Sequence, residues 1–178
     1  MKKQLVPLPE IFVRNRQRKI AVDCAALEQF ARRVLTLCGE EHGAGLTKLD
    51  EVNVLLISDR RIAELHLRFM KISGPTDVIA FQHGEIFISV ETARRQAKTY
   101  RSSLPHELEL YLVHGLLHLH GFDDRDPVAA ARMHAVQERI VSANRPKGCG
   151  LHVTAVFLAE TRATSAAQRI ERRLRLQS

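Results

Sequence analysis

The stretch that most constrains the fold is the apolar run from Leu104 to His120, L-P-H-E-L-E-L-Y-L-V-H-G-L-L-H-L-H. A run of this length and apolarity predicts a helix that is buried against a sheet rather than exposed to water. Gly121 follows it, and a glycine there can adopt the left-handed backbone conformation that ends a helix and turns the chain back. The rest of the chain is therefore expected to pack around this helix.

Two histidines, His114 and His118, lie four residues apart within the apolar run. On a helix this spacing places both imidazoles on one face, one turn apart, where they can bind one zinc ion at about 2.0–2.1 Å. Asp123, Asp124 and Asp126 follow the glycine turn, and one of them can supply a third ligand. Three protein ligands leave a fourth position for water, which is typical of catalytic zinc. The simpler alternative is a partly buried helix whose histidines only form hydrogen bonds.

The residue that directly follows the first histidine distinguishes this pattern from that of a zinc protease. Gly115 occupies the position at which zinc proteases of the H-E-x-x-H type carry their glutamate general base. The pattern therefore has the metal spacing of such a protease without its base. This disfavours a metal-dependent peptidase and favours zinc-assisted hydrolysis of another class of substrate.

Hydrophobic periodicity predicts the other elements and gives the order β-α-β-α-β-β-α-α-α. Strands are predicted over residues 11–18, 52–57, 78–81 and 85–90, the last two as a hairpin. Helices are predicted to start after Asp23, at Ser58 or Asp59, at Glu91, at Leu104 and at Asp126-Pro127. The second helix is predicted to carry Ile62, Leu65, His66 and Phe69 on its inner face. This order predicts an α+β fold, a mixed sheet of about four strands packed with helices, with the metal site on a central buried helix.

The net charge of +7 is concentrated at the two ends of the chain. Lysine and arginine outnumber acidic residues over residues 1–19 and 145–178, whereas the middle is mildly acidic. This pattern favours contact with a polyanion such as a nucleic-acid backbone, and the alternative is that the basic ends aid solubility. We predict a single domain over residues 1–144 and a basic, partly helical extension over residues 145–178.

The sequence also predicts a cytoplasmic protein with no membrane partner. No apolar run approaches the ~20 residues of a membrane span, and the basic N-terminus is not followed by the apolar region of a secretory signal. The three cysteines, Cys24, Cys38 and Cys149, are scattered without a C-x-x-C pair, as expected for thiols in a reducing compartment.

Three stretches together resemble the YbeY family of bacterial endoribonucleases. Residues 75–81, P-T-D-V-I-A-F, are similar to the family's P-T-D-V-L-S-F, and residues 84–89, G-E-I-F-I-S, are similar to G-D-I-x-I-S. Residues 114–124, H-G-L-L-H-L-H-G-F-D-D, are similar to H-G-x-L-H-L-x-G-Y-D-H. The order and separations of the three stretches also match, and the resemblance covers roughly residues 11–144.

The resemblance implies an α+β fold and a zinc-dependent endoribonuclease that is specific for single-stranded RNA. It implies a role in processing ribosomal RNA, at the 3′ end of 16S rRNA, and in ribosome quality control, with rRNA and the small ribosomal subunit as partners. It also implies one Zn²⁺ ion held by His114, by His118 and by a third ligand, the three residues acting catalytically through the metal. The family's third histidine falls on Asp124, and a carboxylate oxygen is an acceptable zinc ligand.

A second departure from the family pattern lies before the P-T-D-V stretch. The family often has Tyr-Arg where this chain has Phe69 and Met70, and the family arginine is implied to support RNA cleavage. Met70 cannot bind a phosphate. Arg68 and Lys71 are its neighbours and are the candidate substrate-binding residues, although adjacent helix positions point about 100° apart. The alternative function is a non-catalytic, zinc-containing ribosome-assembly factor.

We predict that Asp124 rather than His120 supplies the third ligand. His120 lies two residues past His118, so on a continuing helix it points about 200° away from that imidazole. It is expected to be a surface or hydrogen-bonded histidine. Asp123 is expected to orient the loop or a ligand. Asp123, Glu85 and His120 are the candidates for a general base, each expected to be structural rather than catalytic.

Overall fold

The computed structural model describes residues 7–144, so the predictions for residues 1–6 and for the extension over residues 145–178 lie outside the described residues. The elements are β1 (Glu10–Asn15), α1 (Cys24–Gly39), a short 3-10 turn (Leu46–Lys48), β2 (Glu51–Ile57), α2 (Asp59–Met70), β3 (Val78–Phe81), β4 (Glu85–Ser89), α3 (Val90–Thr99), α4 (Leu104–His120) and α5 (Pro127–Ala143). Apart from the 3-10 turn, this is the predicted order of strands and helices.

The strands form one four-stranded sheet in the order β1-β2-β4-β3. The first three of these strands run parallel, whereas β3 pairs antiparallel with β4 through the turn at residues 82–84. The predicted hairpin is therefore present, and it places β3 at the edge of the sheet. A mixed sheet packed with helices confirms the predicted α+β fold.

Helix α4 is buried against one face of the sheet, as its composition predicted. Leu112, Leu116 and Leu117 are fully buried, and each such side chain contributes about 1.5–3 kcal/mol to stability. The helix lies so close to β4 that a Cβ atom on Gly115 would be 2.7 Å from Cγ2 of Ile86. A larger side chain at position 115 would therefore require the Ile86 side chain or the helix to shift.

Helix α2 covers the opposite face of the sheet. Ser58 caps it by accepting a hydrogen bond from the backbone N–H of Arg61 at 3.3 Å, and Ile62 and Leu65 pack with Ile79 in a second, smaller hydrophobic cluster. Phe69 lies on the predicted face, with its ring centre 4.9 Å from that of Phe81 on β3, but it is not buried there, because 54% of it is exposed. It lies beside β3, the edge strand, beyond which no further strand covers it.

Two predicted strands end earlier in the structure than in the sequence analysis. The first was predicted over residues 11–18 but ends at Asn15, because the Gln17 side chain accepts hydrogen bonds from the backbone N–H groups of Lys19 and Ile20 and turns the chain. Strand β4 ends at Ser89, whose hydroxyl caps α3. Within residues 7–144, no helix is long and apolar enough to cross a membrane.

Candidate metal centre

Helix α4 and the loop after it bring the three predicted ligand residues together. The Nε2 atoms of His114 and His118 are 3.0 Å apart. The Oδ2 atom of Asp124 lies 4.0 Å from the first of these nitrogens and 3.9 Å from the second. Each of the three side chains is about one quarter exposed, so the cluster is accessible from solvent.

The turn after α4 explains how Asp124 reaches the helix face. Gly121 has a φ of 110°, and its N–H bonds back to the carbonyl oxygens of Leu117 and His118 at 3.1 Å. The Phe122 N–H also donates to the Leu117 carbonyl oxygen, at 3.0 Å. This left-handed termination reverses the chain and carries the following loop alongside the last turn of the helix.

Asp123 fixes the loop, in agreement with its predicted role. Its carboxylate accepts hydrogen bonds from the backbone N–H groups of Asp124, at 2.9 Å, and of Arg125, at 3.1 Å. The Arg125 side chain pairs with the same carboxylate, and its hydrogen bonds lower the pKa of Asp123. Asp123 is therefore occupied within the loop, and Asp124 is left to face the histidines.

Hydrogen bonds outside the cluster set the orientation and the tautomer of both imidazoles. The Nδ1–H group of His114 donates to Oε1 of Gln137 at 3.0 Å, and that of His118 donates to the carbonyl oxygen of Phe122 at 3.1 Å. A backbone carbonyl oxygen can only accept, so the proton of the neutral His118 ring is on Nδ1, and the amide oxygen of Gln137 favours the same tautomer of His114. The lone pair of each Nε2 atom therefore points into the cluster.

The cluster has the composition of a cation site. Two imidazole nitrogens and one carboxylate oxygen, all hydrogen-bond acceptors, face one another with no donor among them. Burial and the neighbouring His114 lower the pKa of His118, which keeps its ring neutral and able to bind a metal. The three separations of 3.0, 3.9 and 4.0 Å bracket the spacing of about 3.3–3.5 Å expected between ligands of a tetrahedral ion with bonds of about 2.0–2.2 Å. These residues therefore fit Zn²⁺.

Gln137 is a residue of this site whose role the sequence did not predict. Its side chain is buried on α5, where the neighbouring buried positions are Met133, Ile140 and Val141. An amide within an otherwise apolar stripe is the available signal, because a buried polar group needs a partner. That partner is His114, which makes Gln137 a residue that positions a metal ligand.

The other candidates for a general base lie elsewhere. His120 is buried rather than on the surface, and its Nε2 atom is 3.2 Å from the carbonyl oxygen of Glu41, on a different face of α4 from the metal cluster. Glu85 pairs with Nε2 of His83 at 3.0 Å. Neither side chain contributes an atom to the cluster formed by the three predicted ligands.

The two candidate substrate-binding residues lie together at the C-terminal end of α2. The Arg68 guanidinium is 5.3 Å from the centre of the Phe69 ring, and Nζ of Lys71 donates to the Arg68 carbonyl oxygen at 3.2 Å. Arg68 also lines a cavity beside the β3–β4 hairpin. The same hairpin contacts the metal helix, because Nε2 of Gln82 donates to the carbonyl oxygen of His118 at 3.2 Å.

The sequence of this chain is similar to those of known proteins that share one name. The family model described as "Endoribonuclease YbeY" matches residues 12–145. A protein of that name from Heliobacterium modesticaldum is 36% identical over 125 residues, which cover 58% of this chain and 75% of the relative. The protein of that name from Symbiobacterium thermophilum is 34% identical over 150 residues, covering 75% of this chain and 96% of the relative.

A solved structure has the same fold. The solution structure of TM1509 from Thermotoga maritima matches with a TM-score of 0.50 and 23% sequence identity. The match covers 79% of this chain and 99% of that chain. At this identity the likeness supports the arrangement of strands and helices, whereas the assignment to a family depends on the sequence comparisons.

Proposed function

This chain belongs to the YbeY family of endoribonucleases, and from that premise we propose that it cleaves single-stranded RNA with the help of one Zn²⁺ ion. As a member of the family it is a nuclease, a hydrolase of phosphodiester bonds. The observation that carries the proposal is the convergence of two imidazole Nε2 atoms and one carboxylate oxygen within the matched segment. We further propose that it acts in the cytoplasm on ribosomal RNA, at the 3′ end of 16S rRNA and in ribosome quality control, with the small ribosomal subunit as its partner.

His114, His118 and Asp124 would hold the ion. When bound there, zinc supplies Lewis-acid chemistry for hydrolysis at a phosphorus centre. Gln137 and the carbonyl oxygen of Phe122 hold the two imidazoles with Nε2 directed inward, so the ligands are oriented before the ion binds. The carboxylate adds a negative charge that the family's histidine would not carry.

Arg68 and Lys71 would bind the phosphates of the strand. Among residues 7–144, no carboxylate forms a salt bridge with either side chain, so both charges are available to an incoming polyanion. Phosphate contacts of this kind position a strand without selecting its sequence. We propose the same sequence-independent role for the basic ends of the chain.

One experiment tests the zinc-dependent cleavage directly. The purified full-length protein should cut single-stranded RNA in the presence of zinc, cut a matched duplex more slowly, and lose activity when a chelator is added. His114→Ala should abolish cleavage while its circular dichroism and melting temperature in chelator match those of the wild type. His42→Ala is the matched control, because His42 is an exposed histidine outside the cluster. Undiminished cleavage by His114→Ala would rule out the proposed site.

One observation favours a second candidate, the non-catalytic zinc-containing assembly factor. Met70 stands where the family often has arginine, and it is 44% exposed without any charge to offer a phosphate. On this alternative the protein binds RNA and zinc but does not cleave. The same assay separates the two, because RNA binding without zinc-dependent products would support the assembly factor. A peptidase is disfavoured because Gly115 stands where such enzymes carry their glutamate base, and a Cβ atom at this position would be 2.7 Å from Cγ2 of Ile86.

A further inference from the structure

A concave surface lies between the C-terminal end of α2 and the β3–β4 hairpin. We call it the aromatic cavity, and it has a volume of about 180 Å³. Its lining consists of three phenylalanines, one leucine and three polar side chains: Phe69, Phe81, Phe87, Leu65, Arg68, His83 and Glu85. The ligands His114, His118 and Asp124 are not part of this lining.

The rings of the aromatic cavity are arranged around Phe81. Phe69 meets it edge-to-face with the ring centres 4.9 Å apart, and Phe87 does so at 5.8 Å. The imidazole of His83 is nearly parallel to the Phe81 ring, at 5.7 Å and 19°. A set of rings held in these orientations offers both faces and edges to a further flat ring.

Apolar side chains at the aromatic cavity are exposed to water, which indicates that this surface binds a ligand. Phe69 is 54% exposed, and burying a phenylalanine side chain completely would contribute about 1.5–3 kcal/mol. In the described part of the chain, large apolar side chains at this level of exposure are few, and three of them, Leu67, Phe69 and Met70, belong to the end of α2. An apolar surface with a polar rim is typical of an interaction site.

The charges at the rim of the aromatic cavity indicate an anionic ligand. The Arg68 guanidinium lies over the Phe69 ring, where it can contact a base or a phosphate. Lys71 follows within the same turn. The acidic side chain in the lining, Glu85, is paired with His83. Aromatic rings beside unpaired cations are the combination that binds single-stranded nucleic acid.

The hairpin that lines the aromatic cavity contacts the helix that carries the candidate metal centre. Phe81 and His83 flank Gln82, whose side-chain amide donates to the carbonyl oxygen of His118 at 3.2 Å. The hairpin that carries two of the rings is therefore in direct contact with the helix that carries two of the metal ligands. A strand bound at the metal centre can reach the cavity around the edge of the sheet, because β3 is the edge strand.

We propose that the aromatic cavity is a stacking subsite for one unpaired base of the RNA strand that binds at the metal centre. The inference rests on the proposed function and adds a position at which the strand is held. The volume is below the roughly 300–1,000 Å³ of sites for drug-sized ligands, so it suits a single ring system. A protein partner would need about 800 Å² of surface on this chain, far more than one small cavity offers.

The test compares ligands that differ only in their bases. Binding of a fluorescent single-stranded RNA is measured with a chelator present so that the strand stays intact, alongside the same strand with abasic positions. Phe69→Ala and Phe69→Leu should each weaken binding of the normal strand about tenfold, within the range for loss of one stacked base. Phe69→Tyr, which keeps the ring, should bind within about twofold of the wild type. All of these proteins should bind the abasic strand equally.

Leu67→Ala is the matched control, because Leu67 lies on the same helix with the same exposure of 54% but outside the cavity lining. It should bind both strands like the wild type. Because Phe69 contacts no phosphate on this proposal, the dependence of binding on salt should not change in Phe69→Ala. The melting temperature of each variant checks that it is folded. Because Leu67 and Phe69 are both 54% exposed, replacing either side chain is expected to leave the fold intact.

Three outcomes would overturn the subsite. Phe69→Leu could bind the normal strand as tightly as the wild type. That result would mean that apolar contact, and not base stacking, is what the position contributes, as expected at a protein-binding surface. Phe69→Ala could weaken binding of the abasic strand as much as binding of the normal strand. Alternatively, Leu67→Ala could weaken binding of the normal strand as much as Phe69→Ala does. If the wild type binds and cuts RNA while the Phe69 variants bind normally, the proposed function stands and the subsite falls. If the wild type neither binds nor cuts RNA, both fall.

Discussion

The structure contains two clusters of polar side chains that differ in their hydrogen-bond donors. In one cluster donors surround a carboxylate, and in the other three acceptors face one another. At the start of α2, the Asp59 carboxylate faces donors: it accepts hydrogen bonds from Ser89 at 2.5 Å and from Thr92 at 2.8 Å, and it pairs with Arg95. Burial raises the pKa of Asp59, but the hydrogen bonds from these three residues outweigh it and lower that pKa overall. The Asp59 cluster is therefore complete without any ligand.

The metal cluster, unlike the Asp59 cluster, has no hydrogen-bond donor among its three side chains. His114, His118 and Asp124 face one another as acceptors, and the N–H groups of both imidazoles donate to oxygens outside the cluster. An unpaired acceptor that is removed from water costs free energy, and three of them together are stable only with a cation or ordered water between them. A cluster whose acceptors all have donors is therefore structural, whereas a cluster of acceptors alone indicates a site for a cation.

Removal of one imidazole should abolish the stabilisation that zinc gives to the metal cluster. In the wild type, zinc at 100 times its Kd should add about 2.7 kcal/mol to the free energy of unfolding, which raises the Tm by about 5–10 °C for a chain of this size. His118→Ala should lose this shift entirely. Asp59→Asn should keep it, because the Asp59 cluster has no place for an ion. Melting curves with and without zinc decide the matter, and an equal zinc shift in His118→Ala would contradict the assignment.

The next largest effect concerns the third ligand. Asp124→Ala should weaken zinc binding by roughly a hundredfold or more, because two imidazoles alone hold the ion poorly. Asp124→His should retain zinc, because it restores the family's third histidine. His120→Ala should leave the affinity nearly unchanged, because His120 contacts the carbonyl oxygen of Glu41 rather than the cluster. Competition titrations with a chromogenic chelator measure all three, and full occupancy in Asp124→Ala with loss in His120→Ala would reverse the assignment.

Features encoded by neighbouring residues were predicted well from the sequence. The bounds of α4 were predicted correctly because its apolar run and the Gly121 turn lie within one continuous stretch. The spacing of His114 and His118 is likewise local, so their shared face follows from helix geometry alone. The position of Asp124 beside them depends on the turn, whose conformation the glycine indicates.

Features that depend on how distant elements pack were missed. Gln137 lies 23 residues from His114, so their contact depends on the packing of α5 against α4, which no local pattern encodes. Phe69 occupies an apolar position of an amphipathic helix, which predicted an inner face, but the sheet ends at β3 and leaves the ring exposed. In both cases the side chain has the expected type and the tertiary neighbours decide its role.

Substitution of Gln137 should have a smaller effect on zinc affinity than loss of a ligand, and it tests whether the hydrogen bond to His114 orients that ligand. Gln137→Met has a similar volume but accepts no strong hydrogen bond, so the His114 ring loses the partner that fixes its tautomer. Zinc affinity should fall by about 10–100-fold, as is usual for partners of metal-binding histidines. Gln137→Glu keeps an acceptor and should bind zinc at least as tightly as the wild type. If both variants bind equally, then the hydrogen bond does not orient the ligand.

The smallest effect comes from the complete cluster. Asp59→Asn removes the charge that accepts hydrogen bonds from Ser89, Thr92 and Arg95, and the free energy of unfolding should fall by about 1–2 kcal/mol at pH 7. The side chain is 23% exposed, which keeps the loss toward the lower end of that range. Zinc affinity should not change, since Asp59 contacts none of the three candidate ligands.

The pH dependence of this last effect identifies its cause. The folded state lowers the pKa of Asp59 below that of the unfolded chain, which is about 3.9, so its contribution is present above that pH and is lost as the pH falls through the folded-state pKa. The wild type and Asp59→Asn should therefore differ in urea unfolding at pH 7 and converge at acid pH values below the folded-state pKa of Asp59. A difference that is the same at both pH values would mean that the shape of the side chain, and not its charge, stabilises the start of α2. The charge of Asp59 would then contribute nothing to the free energy of unfolding, and the Asp59 cluster would differ from the metal cluster only in its hydrogen bonds.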